Sequence, residues 1–390
     1  MYPKIFIKPE RVKNIQSGHP WIFSHAIEKK DNLKSGDLCE IYSKNVLLGI
    51  GYYNAETDIA VRILTRKLQK IDEIFFVSRF EELKKGRELY VKDTNAYRMI
   101  FGESDGIPGL IVDKYADTLV LQFHTLGIEL LRNYIVEALK KVFKPDCIFL
   151  KESVHSKKIE KNMSNSPKLL YGKLKEEIAI IENGFSFLVN IVQGQKTGFF
   201  LDQRLNRKSI MEFTEKKKVI NFFSYTGGFS VYAAKNAKEV ASVDISKEAI
   251  SYAKKNFQLN NFDVNKHKFI ADDAFEYLKN LKKDYYDMII LDPPSFARRK
   301  SQVTQAIKAY ITLNSKALEK LPEGGILVSS SCTAHIDELT FIKILHQSAV
   351  NTGCSLKVLH SATQPFDHAY NLHFPEGRYL KFFVLLKGKI

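Results

Sequence analysis

The C-terminal half of the chain alternates regularly between short apolar runs and amphipathic segments. The apolar runs predict strands at residues 219–223, 240–243, 268–271, 287–291 and 326–330. The segments between them predict helices at residues 229–236, 247–259, 274–279 and 303–321. Alternating strands and helices indicate an α/β domain in which helices cover both faces of a parallel sheet. Two later strand signals, 356–360 and 379–386, lack a helical connection, and we expect them to close the sheet as an antiparallel pair.

The N-terminal region has a different pattern, in which short alternating strands are separated by turns. Strands are predicted at residues 4–8, 37–42, 46–53 and 58–64, with a hairpin turn at Ser43-Lys44-Asn45. So many short strands in a short segment imply a small β domain that resembles a barrel. Trp21, the only tryptophan, is expected to pack in the core of this domain, with stacking on a nucleic-acid base as the alternative.

A region of mixed signals lies between these two. A helix is predicted at residues 75–90, and a strand at 118–124, a helix at 128–142 and a strand at 147–151 follow it. We therefore predict three domains: a small β domain over residues 1–72, a central mixed α/β domain over 73–190, and the larger α/β domain over 191–390.

Composition and charge narrow the class of protein. The chain of 390 residues is too long for one ordinary core and has a formal net charge of +15. Such a positive field attracts polyanions and favours a nucleic-acid partner; a general lysine bias of the proteome is the alternative. The chain has no apolar run of membrane-spanning length, no signal-peptide pattern at its start and no CxxC spacing among its cysteines. We expect a cytoplasmic protein that has no membrane-spanning segment, no bound metal and no disulfide bond.

Polar residues follow three neighbouring strands of the predicted parallel sheet, where α/β domains bind ligands. The turn after the first strand contains glycines, which let the backbone approach a ligand closely. Asp244 ends the second strand and can accept the hydroxyls of a ribose, and Asp272 and Asp273 end the third strand, within reach of an adenine amino group. This order predicts a site for S-adenosylmethionine, although each aspartate alone could be a helix N-cap. The candidate cofactor residues are Phe223, Ser224, Thr226, Gly227, Asp244, Asp272, Asp273 and Asp292.

A polar segment at residues 193–204 precedes the first of these strands. It is rich in side chains that suit a loop closing over a ligand, and Lys196, Thr197 and Arg204 are its candidate cofactor contacts. The alternative is that Asp202 only caps the helix that follows.

The fourth strand runs into Asp292-Pro293-Pro294, where two prolines hold a carboxylate in place beside a planar base. This motif leaves open whether a nitrogen or a carbon atom is methylated. Arg298, Arg299 and Lys300 follow and suit the phosphates that flank a target nucleotide, with a solvated helix cap as the alternative.

Cys332 follows the fifth strand, beside the Asp292 loop. The other cysteines, Cys39, Cys147 and Cys354, are expected to be small buried hydrophobic residues. Carbon 5 of cytosine is a weak nucleophile, but a thiolate that adds at carbon 6 activates it, as Cys332 is placed to do. Asp292 would stabilise the charge that develops on the ring. A nitrogen acceptor needs no such thiol.

These residues resemble the RlmI-type family of large-subunit ribosomal RNA cytosine-C5 methyltransferases. The resemblance extends over the whole chain, from a start similar to that of PUA domains to Ser331-Cys332 and Pro375-Glu376-Gly377. It implies an N-terminal PUA domain that binds RNA, a central mixed α/β domain and a C-terminal Rossmann-like methyltransferase domain. It also implies Cys332 as the nucleophile and 23S ribosomal RNA as the substrate. In some other families a second cysteine follows the paired prolines, but here Ser295 stands there, so a single-cysteine mechanism is implied.

Several alternatives remain open at this point. The same scaffold fits an RNA guanine or adenine nitrogen methyltransferase, a non-catalytic RNA-binding assembly factor, or a methyltransferase that acts on a protein or a small molecule. The sequence leaves open the base that removes the carbon-5 proton, the target nucleotide and the oligomeric state, with a homodimer among the choices.

Overall fold

The computed structural model describes residues 2–153, 159–160, 163–164, 166–297 and 299–389. The chain divides into two compact units that do not follow chain order. Unit 1 contains Met1–Ile180, Val189–Leu201 and Phe366–Gly377, and unit 2 contains Ile181–Leu188, Asp202–Pro365 and Arg378–Ile390. The domain boundaries after residues 72 and 190 stay predictions.

The strands of the described residues are β1 Lys4–Ile7, β2 Trp21–Phe23, β3 Ile27–Lys30, β4 Leu38–Ser43, β5 Val46–Tyr53, β6 Ile59–Thr65, β7 Ala96–Phe101, β8 Leu110–Tyr115, β9 Thr118–Phe123, β10 Cys147–Leu150, β11 Lys168–Gly172, β12 Glu177–Glu182, β13 Phe185–Asn190, β14 Lys218–Phe222, β15 Glu239–Asp244, β16 Lys268–Ala271, β17 Met288–Leu291, β18 Ile326–Ser331, β19 Cys354–Ala362 and β20 Lys381–Lys389. The α-helices are α1 Val12–Gln16, α2 Glu73–Tyr90, α3 Leu126–Leu130, α4 Arg132–Phe143, α5 Arg204–Ser209, α6 Gly228–Ala234, α7 Lys247–Leu259, α8 Ala274–Asn280, α9 Val303–Lys320 and α10 Glu338–Asn351. No helix of the described residues is both long and apolar enough to cross a membrane.

The first sheet of unit 1 is the small β domain that the N-terminal pattern predicts. Its strand order is β2-β6-β5-β4-β1-β3. The predicted hairpin is confirmed, since β4 and β5 pair in antiparallel fashion from Leu38↔Tyr52 to Ser43↔Val46. Alternate side chains of the strands, such as Ile5 and Ile7 of β1, are fully buried and build the core of this sheet.

Trp21 does not pack in that core, so this expectation is wrong. Its ring is only half-buried, and its indole nitrogen donates a hydrogen bond of 2.9 Å to Oε1 of Glu103. The ring also meets Phe374 edge to face, with 4.8 Å between the centroids. A buried indole N–H needs an acceptor, which the apolar interior of the sheet does not offer.

The second sheet of unit 1 has the strand order β11-β10-β9-β8-β7, and α2 and α4 pack together beside it. The single helix predicted over residues 128–142 is in fact two, α3 and α4. The break is at Leu131, which has φ −86° and ψ 7° and whose amide bonds to the carbonyl of Ile128, three residues back. This tighter turn ends α3 before α4 begins.

The sheet of unit 2 has the strand order β16-β15-β14-β17-β18-β20-β19. The strands from β14 to β18 are parallel, and β20 pairs in antiparallel fashion with both β18 and β19, as predicted. The fold class is therefore confirmed. Helix α10 was missed, although Asp337 gives the N-cap signal for it: its carboxylate accepts a 2.7 Å bond from the amide of Thr340.

Candidate active site

The parallel strands of unit 2 end at one edge of the sheet, and this edge collects most of the predicted site residues. Because β16, β15, β14, β17 and β18 are consecutive neighbours, the loops that follow them form a row. Asp272 follows β16, Asp244 is the last residue of β15, and the loop 223–227 follows β14. Asp292 and Cys332 follow the other two.

The loop after β14 has an unusual backbone. Phe223 and Tyr225 are left-handed, with φ of 57° and 46°, a conformation that costs a non-glycine residue roughly 1–3 kcal/mol. Gly227 is left-handed as well, at φ 80°, and a Cβ there would lie 3.0 Å from the Cβ of Ala253 on α7. Such strain concentrates at functional sites, and here it turns the backbone sharply before α6 begins.

The Asp244 carboxylate joins this loop to the next one. One of its oxygens accepts a 2.8 Å bond from the amide of Tyr225, and the other accepts a 2.9 Å bond from the amide of Ser246. Asp244 is half-buried, so the carboxylate is fixed in place and stays accessible from one side. A fixed carboxylate at this position can accept hydrogen bonds from a ribose.

Two hydroxyls of the same loop have no hydrogen-bond partner among the residues that the structure describes. Ser224 Oγ and Thr226 Oγ1 are both buried and unpartnered. Buried polar atoms are nearly always paired, so a polar ligand that reaches this loop would satisfy them. The loop therefore fits an adenosine-containing cofactor, because such a ligand carries polar atoms that could bond both hydroxyls.

The two aspartates after β16 differ from each other. Asp273 Oδ1 caps α8 by accepting bonds of 2.9 and 3.0 Å from the amides of Phe275 and Glu276. Asp272 accepts a bond from the amide of Asp273, and both side chains are exposed. The capping role that the sequence left open is therefore present at Asp273, and the adenine contact of both residues stays a prediction.

The predicted polar segment 193–204 is divided between the units. Lys196 and Thr197 belong to unit 1, where Thr197 is fully buried and donates a 2.6 Å bond to Asp113. Lys196 is exposed, and its ammonium lies 4.5 Å from the centre of the Phe200 ring. The cofactor contacts of Lys196 and Thr197 stay predictions.

The rest of this segment belongs to unit 2, where Arg204 is buried in the first turn of α5. Arg207, one turn further, forms a buried two-pronged ion pair with Glu182, at 2.8 and 2.7 Å. This pair anchors the short helix. The cofactor contact of Arg204 stays a prediction.

Asp292 is held by groups from two other parts of the chain. Its Oδ1 accepts a 3.0 Å bond from Nε2 of Gln203 and a second bond from the hydroxyl of Ser330. Gln203 is itself oriented by a 2.6 Å bond from Asn206. Gln203 and Ser330 were not among the predicted site residues, because only the fold brings them to Asp292.

The loop after Asp292 is joined to the loop of Cys332. The hydroxyls of Ser295 and Thr333 lie 2.8 Å apart, which links the residue after the paired prolines to the residue after Cys332. Of the predicted phosphate contacts, Arg299 and Lys300 are exposed, and Arg298 lies outside the described residues.

Cys332 differs in exposure from the other three cysteines. Cys39, Cys147 and Cys354 are buried, as expected, whereas Cys332 is half-buried. Burial raises the pKa of the Cys39 thiol to about 12, so that thiol is inert near neutral pH. Among the residues that the structure describes, no group of His, Cys, Asp or Glu side chains is arranged to hold a metal ion.

The sheet order and this row of polar groups define a class of protein, the S-adenosylmethionine-dependent methyltransferases. The family model described as "S-adenosylmethionine-dependent methyltransferase" matches residues 157–362, and a model for a PUA-like domain matches residues 5–66. The methyl donor is therefore S-adenosylmethionine.

Individual relatives narrow the family. The chain is 36% identical over 395 residues to ribosomal RNA large subunit methyltransferase I of Aeromonas hydrophila, covering 99% of both chains. It is 36% identical to the protein of the same name from Vibrio cholerae, covering 98% of this chain and 99% of the other. Its structure resembles that of SMU.776, described as a methyltransferase complexed with SAH, with a TM-score of 0.85, 28% identity, and coverage of 98% and 99%. The chain belongs to the ribosomal RNA large subunit methyltransferase I family.

Proposed function

We propose that this protein methylates carbon 5 of a cytosine in 23S ribosomal RNA, with Cys332 as the nucleophile. The observation that carries the proposal is the exposure and position of Cys332. Cys332 is half-buried, whereas the other three cysteines are buried. It follows β18, and Asp292 follows the neighbouring strand β17. A methyltransferase acting on nitrogen has no use for an accessible thiol at this edge.

The chemistry follows from the ring. The Cys332 thiolate adds to carbon 6 of cytosine, and the electron pair of the 5,6 double bond moves so that carbon 5 becomes nucleophilic. S-adenosylmethionine supplies a methyl group on a positively charged sulfur. After carbon 5 has gained the methyl group, a base removes the carbon-5 proton and the thiolate leaves carbon 6, which restores the double bond.

Asp292 holds the target base in this proposal. Because Gln203 and Ser330 both donate to Oδ1, the carboxylate has a fixed direction, and we assign it the edge of the target ring. A group that is oriented before the reaction stabilises developing charge without rearranging. Gln203 and Ser330 are thus positioning residues for Asp292.

The donor site in this proposal uses the candidate cofactor residues named from the sequence, apart from Asp292, which is assigned to the target base. Ser224 and Thr226 would bond the cofactor through their unpartnered hydroxyls, and Asp244 would accept its ribose hydroxyls. Asp272 or Asp273 would meet the adenine. Arg204, in the first turn of α5, would add a contact with the cofactor.

The identity of the RNA rests on the relatives and on charge. The relatives are named for ribosomal RNA of the large subunit, and this chain carries a formal net charge of +15. We assign RNA binding to a PUA-like domain over residues 1–72, and Arg298, Arg299 and Lys300 to phosphates near the target. The proposal also includes a central α/β domain over residues 73–190. It further assigns the protein to the cytoplasm and gives it a homodimer as its oligomeric state.

The test compares wild-type protein with Cys332→Ala and with the control Cys354→Ala. Each protein is incubated with large-subunit ribosomal RNA and labelled S-adenosylmethionine, and the nucleosides are then identified by mass spectrometry. We expect 5-methylcytidine from the wild type and from Cys354→Ala, and none from Cys332→Ala. A methylated guanine or adenine as the product, or full activity of Cys332→Ala, would overturn the proposal.

A further inference from the structure

A buried lysine, Lys381, lies near Cys332. The proposed methyl transfer gives this lysine no role. Lys381 is the first residue of β20, and only 4% of it is exposed. Lysine is almost never buried without a specific partner, because removing its charge from water is costly. Its place in the sheet therefore requires an explanation.

The register of the sheet brings Lys381 to the loop of Cys332. In the antiparallel pair of β18 and β20, Lys381 lies opposite Ser331, the residue before Cys332. Its ammonium donates a 2.6 Å bond to the carbonyl of Thr333, the residue after Cys332, and a 2.9 Å bond to the carbonyl of Tyr379. The amine is thus held against the backbone of the residue that follows Cys332.

These two bonds leave the third N–H of the ammonium available. A lysine ammonium has three donors and no acceptor, so the third donor can serve an anion. Cys332 and Lys381 interact electrostatically in the structure. A thiolate beside a cation is the arrangement that activates cysteine in many enzymes.

We propose that the Lys381 ammonium keeps Cys332 in the thiolate form. Lys381 is then a positioning residue that acts through the nucleophile, and the inference rests on the proposed role of Cys332. The thiol proton leaves to water, and Lys381 keeps its own proton throughout. When the thiolate leaves carbon 6 at the end of the reaction, it returns to the same cation.

The other charges around Lys381 fit this role. The charged groups that face it are Cys332, Asp337, Glu338 and Arg378, and Arg378 is already paired with Glu338. Burial lowers the pKa of Lys381 to about 8, and the charge of Cys332 acts in the opposite direction. Lys381 is therefore still mostly charged at pH 7. The electrostatic interaction between Lys381 and Cys332 favours the thiolate as much as it favours the ammonium.

Tyr310 also interacts with Cys332, and it does not supply a cation. Burial raises the pKa of Tyr310 to about 12, so its hydroxyl stays neutral near pH 7, and Asp292 is acidic. Tyr310 lies within electrostatic reach of both Cys332 and Asp292. Lys381 is thus the source of positive charge that we assign to the thiolate.

Thiol alkylation measures this effect without RNA. The rate at which iodoacetamide modifies the Cys332 peptide is followed by mass spectrometry from pH 5 to 10 in wild type, Lys381→Met and Lys381→Arg. Lys387→Met is the matched control, because Lys387 lies on the same strand and also donates to two carbonyls, those of Leu318 and Leu321. S-adenosylmethionine binding, measured by calorimetry, checks that each variant is folded.

We expect the midpoint of Cys332 alkylation to rise by about 1 pH unit or more in Lys381→Met. It should stay close to the wild-type value in Lys381→Arg and Lys387→Met. A midpoint that does not move in a folded Lys381→Met protein would overturn the inference. If Lys381→Met does not fold, Lys381→Gln replaces it. The inference would then be overturned if the alkylation midpoint of Cys332 rose as much in Lys381→Arg as in Lys381→Gln.

The inference and the proposed function fail in different ways. If Cys332→Ala still forms 5-methylcytidine, the proposed function is wrong whatever the alkylation shows. If Cys332 is required but its alkylation does not depend on Lys381, only the role of Lys381 is wrong.

Discussion

The two sides of the active-site edge are built differently. On the donor side, the loop 223–227 and Asp244 use a strained backbone and leave the hydroxyls of Ser224 and Thr226 unpartnered. On the acceptor side, Asp292 is bonded by Gln203 and Ser330, which come from distant parts of the chain. The donor side is thus open to a polar ligand, whereas the acceptor side is a network that fixes reactive groups. A substitution on the donor side should therefore weaken the binding of S-adenosylmethionine, and a substitution on the acceptor side should lower the rate of methyl transfer.

The largest effect is expected from Asp292→Asn, which removes the charge on the acceptor side and keeps the size of the side chain. We expect the rate of methyl transfer at saturating S-adenosylmethionine to fall about 10²- to 10³-fold, as when an oriented charge-stabilising group is lost. The Kd for S-adenosylmethionine should change less than about threefold. Single-turnover kinetics and calorimetry measure the two quantities.

Asp287→Asn is the matched control for this prediction. Asp287 precedes the same strand and bonds the amide of Lys218 at the opposite edge of the sheet, at 2.8 Å. It should leave the rate nearly unchanged. If Asp292→Asn weakens cofactor binding strongly and keeps the rate, Asp292 belongs to the donor side.

The next largest effect is expected from Asp244→Ala on the donor side. Losing a charged acceptor for the ribose should raise the Kd for S-adenosylmethionine about 10- to 100-fold, with little change in the rate at saturation. Ser246→Ala is the control, because Ser246 caps α7 through a 3.1 Å bond from the amide of Ala249. That variant should lose about 1 kcal/mol of stability and keep its affinity for the cofactor. Equal losses of affinity in both variants would mean that Asp244 acts only through folding.

The smallest effect is expected from the double variant Arg299→Ala and Lys300→Ala, which removes two exposed charges after the Asp292 loop. The Kd for RNA should rise roughly three- to tenfold, and the slope of its logarithm against that of the salt concentration should fall by about 1 to 2. Lys282→Ala with Lys283→Ala removes two exposed charges before β17, at the opposite edge. If both double variants weaken RNA binding alike, the acceptor edge has no special contact with phosphates.

Sequence reasoning located the strands that carry the candidate site, but not the long-range contacts within it. Local patterns were enough for β14 to β18. Four of these strands are short and almost entirely buried, as parallel strands covered on both faces are, and the edge strand β16 is partly exposed but was still predicted. Asp244 and the glycine turn follow directly from where those runs end. The N-cap at Asp273 could not be separated from a ligand contact, since both use the same residue type.

The acceptor side depends on contacts between distant segments. Lys381 lies 49 residues after Cys332 in the chain, and only the antiparallel register of β18 and β20 makes them neighbours. Gln203 reaches Asp292 across 89 positions of sequence. Trp21 was misplaced because its indole N–H finds an acceptor in Glu103, 82 residues away. No local periodicity predicts such pairs.

The most direct test of the account is to trap the covalent intermediate. In RNA that contains 5-fluorocytidine, carbon 5 carries fluorine instead of the proton that must leave, so the thiolate cannot be released after methyl transfer. With S-adenosylmethionine, the wild-type protein should form a complex that survives denaturing electrophoresis, and mass spectrometry should place the linkage at Cys332. The Cys332→Ala protein should form none. A wild-type protein that methylates unmodified RNA but yields no such complex, or that is linked through another residue, would contradict the account.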